Sequence, residues 1–220
     1  MKPTAEIKAI ALRLPVRSDL HLLRKAWHMG MGLSMALIYL GGMPVITALS
    51  ILGAALAIAW TNEVTRLRNP QWNMKMVRFW GPIMRSSEVN RMSGVPSYLA
   101  SALVAVAIFP KPVAVVSILY LACGDPIASL FGILYGDRGP RYASGKSLIG
   151  TVAGIVTCVL VGLVFFSGMG LSLDTMIALS LIGGIAGGTA ELLPFEVDDN
   201  FTIPVISGFV LWFAFILLGV

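Results

Sequence analysis

The chain has 220 residues, of which 57% are hydrophobic and only 12% charged, and its net charge is +5. A soluble domain carries about a quarter charged residues, so this composition excludes an ordinary water-soluble globule and points to lipid as the solvent. The basic residues sit in short stretches between apolar runs, which reads as a topology signal and not as a nucleic-acid-binding surface.

In chain order, the first 25 residues carry six Lys or Arg, and Ile7, Ile10 and Leu14 fit one helical face. Residues 4–17 are therefore expected to lie along a membrane surface. The first apolar run begins near Met29 and leads into further membrane, so no cleavable signal peptide is expected. Seven apolar runs follow: 26–41, 44–61, 95–110, 113–135, 149–168, 174–192 and 201–219. Several lie near the ~17-residue minimum for crossing a ~30 Å hydrocarbon core. With the N-terminus inside, fifteen of the sixteen Lys and Arg fall in inner segments, and only Lys111 is outside. The expected fold is all-α: a polytopic bundle of about seven transmembrane helices with a cytoplasmic N-terminus. Residues 1–25 form a basic segment and 26–220 one catalytic domain. Cys123 and Cys158 lie in apolar runs without CxxC spacing and read as small buried hydrophobes.

The polar chemistry lies in the inner segments. His21, Arg24, Lys25 and His28 share one helical face at the entry to the first run, where they either anchor topology or bind phosphate. The long inner segment 62–94 is expected to hold helix of its own, with Glu63–Arg66 and Arg85–Glu88 as intrahelical pairs. Asp125, in Cys123-Gly124-Asp125-Pro126, stands about midway along an apolar run. An acid there costs several kcal/mol unless paired, hydrated or coordinated. Gly124 and Pro126 favour a broken helix that restarts at Pro126 with Asp125 as its cap. Gly145-Lys146-Ser147 looks like the end of a P-loop but fails its spacing, since Pro140 stands where the earlier glycine belongs. With Arg138 and Arg141 the loop remains good phosphate-binding material, though basic anchoring competes with that reading. Glu191, Glu196, Asp198, Asp199 and Asn200 concentrate oxygen donors suited to Mg²⁺, while Asp198 or Asp199 equally suits a helix cap. Two glycine series, Gly124-Ala128-Gly132-Gly136 and Gly183-Gly184-Gly187-Gly188, read first as close helix packing.

Cationic groups, carboxylates and bilayer access together suit phosphoryl or nucleotidyl transfer to a lipid. Four segments occur in the order seen in one family: Arg24-Lys25-Ala26-Trp27-His28, Gly124-Asp125-Pro126-Ile127-Ala128, Gly145-Lys146-Ser147-Leu148-Ile149-Gly150 and Asp199-Asn200-Phe201-Thr202-Ile203-Pro204. They resemble the dolichol kinase, phytol kinase and CTP-dependent diacylglycerol kinase family, and Glu88 with Gly94 and Tyr98 resembles its middle segment. The resemblance covers residues 24–210 and implies a multi-pass kinase using CTP or another nucleoside triphosphate with Mg²⁺. It implies functional roles for Arg24, Lys25, Asp125, Gly132, Lys146, Ser147, Asp199 and Asn200. Ile149 departs from the family, which often has Glu there.

The expected site therefore has Asp125 and Asp199 on the metal, and Lys146, Glu88 and Glu191 as further catalytic groups. Arg24, Lys25, His28, Gly132, Arg138, Gly145, Ser147 and Asn200 would hold the nucleotide. The expected acceptor is a polyprenol, phytol, farnesol or diacylglycerol. A phosphatidate cytidylyltransferase is the alternative, but that family has His-Gly-Gly before Asp-Arg in its signature. A small transporter is a second alternative, which the nearly chargeless outer half disfavours. Homo-oligomerisation stays open, because glycine stripes serve packing within and between chains equally.

Overall fold

The computed structural model describes residues 12–16, 18–142, 144–192 and 198–220. Among these it is all helix apart from turns and one isolated β-bridge, Arg141 to Ser147. Each of the seven apolar runs is helical. α1 spans Leu22–Leu40, α2 Val45–Arg68, α3 Pro70–Trp80, α4 Val95–Ile108 and α5 Lys111–Leu119. α6 spans Asp125–Tyr135, α7 Leu148–Ser167, α8 Leu173–Thr189 and α9 Asp199–Leu218. Five helices are long and apolar enough to cross a membrane: α2, the Lys111–Arg138 rod that contains α5 and α6, α7, α8 with its extension to Leu192, and α9. The chain is a multi-pass membrane protein. α4, at 14 residues, rises only about 21 Å.

The Lys111–Arg138 rod is the centre of the bundle: 72% of its most apolar stretch is buried, against 11% for α2. Val113–Leu119 is apolar on every side apart from Ser117, as a helix enclosed by other helices must be. The break expected at Asp125 takes another form. Tyr120–Gly124 is a π-helical turn, and the chain stays helical through it. Asp125 has helical backbone angles, φ −61° and ψ −48°, so it does not cap a restarted helix. An i→i+5 turn offsets the hydrogen-bond ladder by one residue, which absorbs the donor that Pro126 lacks without parting the helix.

Other expectations are refined. α2 runs past residue 61 to Arg68, because Glu63 and Arg66 meet each other and the 62–94 segment instead of water. Arg66 is 2% exposed and also donates to the carbonyls of Glu88 and Arg91 at 2.9 and 2.8 Å. A small core of Val77, Met84 and Val89 sits beneath this segment, with Leu14 packed on it. The rest of the amphipathic stretch expected over 4–17 lies largely outside the described residues, as does Glu196. His21 does not continue α1; it precedes the helix in left-handed conformation, φ 43°, and its Nε2 meets the Pro82 carbonyl at 3.0 Å.

The second glycine series is packing. A Cβ on Gly184 would meet the Val159 backbone nitrogen at 2.6 Å, and one on Gly188 the Ile155 nitrogen at 2.5 Å. Backbone cannot yield as a side-chain tip can, so α7 and α8 depend on those missing methyls. Gly188→Ala should cost about 1–3 kcal/mol by overpacking, measured as a lower melting temperature in detergent. Gly30→Ala, where a Cβ meets nothing within 4 Å, should not lower that temperature, since alanine is the better helix former.

Candidate active site

The segments between helices meet at one end of the bundle and enclose a cavity of about 960 Å³. Five basic side chains line it (Arg24, Arg85, Arg91, Arg141 and Lys146), and six acidic ones (Glu88, Asp125, Asp137, Glu191, Asp198 and Asp199). His28, Gly132, Gly145, Ser147 and Asn200 complete the expected set. Nearly every residue singled out from the sequence reaches this one space. Arg138 does not: its guanidinium lies over the Tyr135 ring, 5.0 Å from the centroid. Lys25 stops at the wall, where its Nζ donates to Ser129 Oγ at 3.0 Å. Ser129 itself lines the cavity and was missed, although it stands one helical turn after Asp125 on α6.

Two ion-paired nodes organise the wall. At the first, Arg24 clasps Glu88 with both branches, at 2.7 and 2.6 Å, and donates to the Ile83 carbonyl at 2.9 Å. The expected Arg85–Glu88 pairing is made through the Arg85 backbone N–H, 2.9 Å from Glu88 Oε2. At the second, Lys146 Nζ lies 3.1 Å from Glu191 Oε2 and donates to Asp199 Oδ1 at 2.9 Å and the Glu191 carbonyl at 2.7 Å. Thr151 Oγ1 donates to the other Glu191 oxygen at 3.2 Å. Glu88 and Glu191, both expected as catalytic groups, are therefore occupied by cations and donors. Asp125 differs. His28 Nε2 approaches its carboxylate to 3.8 Å, beyond hydrogen-bond range, and its side chain is 27% exposed. His28 Nε2 instead donates to the Leu121 carbonyl in the π-turn at 3.1 Å, and its ring meets Tyr98 edge to face.

The remaining residues shape the cavity. Arg141 is bridged to Asp137 at 2.8 Å, and Tyr142 N–H donates to the Lys146 carbonyl at 2.8 Å, which folds the GKS loop into a tight hairpin. Gly145 turns it with φ +81°, a value that side chains rarely tolerate. Ser147 is 4% exposed and caps α7, its Oγ accepting the Gly150 N–H at 3.0 Å. Gly132 and Gly136 leave room for it: a Cβ on either would stand 3.1 Å from Ser147 Oγ. Asp198 caps α9 by accepting the Asn200 N–H at 2.9 Å. The protein packed around Asp198 raises its carboxyl above the ordinary aspartate range, and nearby Asp199 and Asp125 add to the rise, although the residue keeps contact with solvent. Asn200 Nδ2 reaches the Gly94 carbonyl at 3.4 Å, and a side chain at Gly94 would displace it.

Comparison with known proteins gives the family. No family model and no solved structure matches the chain. A CTP-dependent diacylglycerol kinase of Schizosaccharomyces pombe is 31% identical over 86% of this chain and 91% of its own length. The CTP-dependent diacylglycerol kinase of Saccharomyces cerevisiae is 31% identical over 84% of this chain and 70% of its own. This chain belongs to the CTP-dependent diacylglycerol kinase and phytol kinase family. A more distant member, a probable chloroplastic phytol kinase of Glycine max, is 32% identical over 48% of this chain and 37% of its length.

Because Ser147 Oγ is spent on the helix cap, Ser147→Ala should cost about 1 kcal/mol of stability. Turnover measured well below the melting temperature should fall only severalfold. A loss of several orders of magnitude with unchanged melting would give the hydroxyl a direct role instead.

Proposed function

We propose that the chain is a membrane-embedded kinase that transfers the γ-phosphoryl group of CTP to a lipid alcohol, with diacylglycerol as the acceptor and the cavity on the cytoplasmic side of the inner membrane. The observation that carries this reading is the convergence of the four motif segments on one polar cavity at the end of an apolar bundle. The diacylglycerol assignment rests on the names of the two yeast relatives. The cytoplasmic placement rests on the distribution of Lys and Arg.

A phosphoryl donor brings several negative charges into a cavity whose own charges are nearly balanced. A divalent cation accompanying the triphosphate would offset part of that charge. The donors suit a small hard ion, being all oxygen: Asp125 and Asp199, with Asn200 beside them. Among the described residues no three His, Cys, Asp or Glu converge as a ready-made cage. Mg²⁺ commonly binds in this way, through one or two carboxylates, phosphates and water. When bound, the ion would neutralise phosphate oxygens.

The protein's own part is alignment and charge. Lys146, now held by Glu191 and Asp199, turns its ammonium to the phosphates and frees Asp199. Glu88 holds Arg24 at the rim, in place of acting as a base. The lipid hydroxyl oxygen attacks the γ-phosphorus, the bond to the β,γ-bridging oxygen breaks, and CDP leaves. In a loose transition state little general-base assistance is needed, so the hydroxyl proton passes late to an oxygen of the transferred phosphate.

The test uses purified protein in detergent micelles with CTP labelled at the α or the γ position, and with dioleoylglycerol or phosphatidic acid. Label from the γ position alone should appear on dioleoylglycerol. Asp125→Asn should reduce that transfer by about three orders of magnitude, the scale of lost transition-state charge stabilisation, while the protein still elutes as a folded species. Label from the α position on phosphatidic acid would make the protein a cytidylyltransferase instead.

A further inference from the structure

α1 presents two different faces near the site. Arg24 and His28, one turn apart, line the polar cavity. Trp27, Gly30, Ser34 and Ile38 follow at helical spacing on a neighbouring face and line a second cavity of about 560 Å³, without a charged residue. Its facing wall includes Ile51 and Leu52 on α2. The groove exists because consecutive helices splay: α1 packs mainly on α5 and the π-turn, whereas α2 packs on α4 and α3. Trp27, Ile38 and Ile51 along its edges are 46, 57 and 53% exposed, so the opening faces the bilayer.

We infer that this groove seats an acyl chain of the diacylglycerol acceptor and delivers its hydroxyl past Trp27 to His28 and Asp125. The inference rests on the lipid-kinase reading above. Three observations carry it. The mouth of the groove lies beside the site along α1, since Trp27 lines one cavity and the adjoining His28 the other. Its length fits a lipid tail: from Trp27 to Ile38 the helix rises about 17 Å, and one leaflet of a ~30 Å hydrocarbon core is roughly 15 Å deep. Its head end favours a neutral lipid. Arg24 beside the mouth is already paired with Glu88, so a phospholipid's charged headgroup finds its partner taken, whereas a hydroxyl needs none.

Gly30 offers a clean probe. It lines the groove and a Cβ there meets nothing within 4 Å, so a substituent starts out unobstructed on the groove wall. Gly53 on α2 is equally open but does not line the groove, and serves as the control. The probe is a diacylglycerol with a diazirine at the end of one acyl chain, photolysed with the purified protein in phosphatidylcholine nanodiscs without nucleotide. Cross-links should fall on the peptides containing Met35–Ile38 and Ile51–Leu52, and unlabelled dioleoylglycerol should compete while added phosphatidylcholine does not. Gly30→Phe should reduce this labelling, and raise the KM for dioleoylglycerol, by about tenfold, the scale of a disrupted apolar pocket. Its KM for CTP should not change, and Gly53→Phe should match wild type in both measurements. Labelling that phosphatidylcholine dilutes equally, or that Gly30→Phe leaves intact, would overturn the inference. Specific labelling without lipid phosphorylation would uphold the groove and remove the kinase reading, so the two fail separately.

Discussion

Three helix ends meet at one ammonium group. Lys146, immediately before α7, bonds to Glu191 at the end of α8 and to Asp199 at the start of α9. Removing an ion from water costs several kcal/mol even after relaxation, and an apolar bundle can meet that cost only where opposite charges and backbone carbonyls gather. Lys146 has two carboxylates and the Glu191 carbonyl. The remaining polar residues obey the same constraint. Arg24 closes on Glu88, and Arg66 on Glu63 with two carbonyls. The polar chemistry is thereby confined to one end of the bundle.

Asp125 is the exception that gives this arrangement its chemical use. It sits on the most buried helix, next to the π-turn, and its carboxylate stands 3.8 Å from His28 Nε2, outside hydrogen-bond range. π-turns are frequent at functional sites, and this one also offers the Leu121 carbonyl to His28. That bond ties α1 to the central rod, so the helix carrying Arg24 and the apolar groove is fixed relative to Asp125. The polar cavity and the groove then share α1 as a common wall, a direct way for one protein to hold a charged donor and an oily acceptor together.

Much of this was legible in the residues. The seven apolar runs are all helices, the glycines of α8 do pack against backbone, and the four spaced motifs converge. What was hidden was long-range or depended on shape. Arg24 meets Glu88 across 64 positions of chain, a contact that no local periodicity encodes, so the sequence showed Arg24 as a phosphate ligand and Glu88 as a catalytic carboxylate without showing that they pair. Gly124-Asp125-Pro126 argues for a break on propensity alone; dense packing around Tyr120–Ala122, all fully buried, keeps the helix intact by widening one turn. Ser147 resembled a phosphate ligand by its place after Lys146, yet the start of α7 needed a cap. Arg138 lay in the right loop, but the aromatic face of Tyr135 holds it outside the cavity.

In the proposed kinase, Lys146 exchanges its carboxylate partners for the triphosphate. The direct measurement is the shift in melting temperature that CTP with Mg²⁺ produces in detergent, for wild type and for Lys146→Gln, which keeps a donor for the Glu191 carbonyl but removes the charge. Ligand at about a hundred times its dissociation constant stabilises a protein by roughly 2.7 kcal/mol, so wild type should show a clear upward shift. Lys146→Gln should remain folded and show almost none at the same concentration. An equal shift in both proteins would mean that the triphosphate binds without Lys146, and would contradict the account.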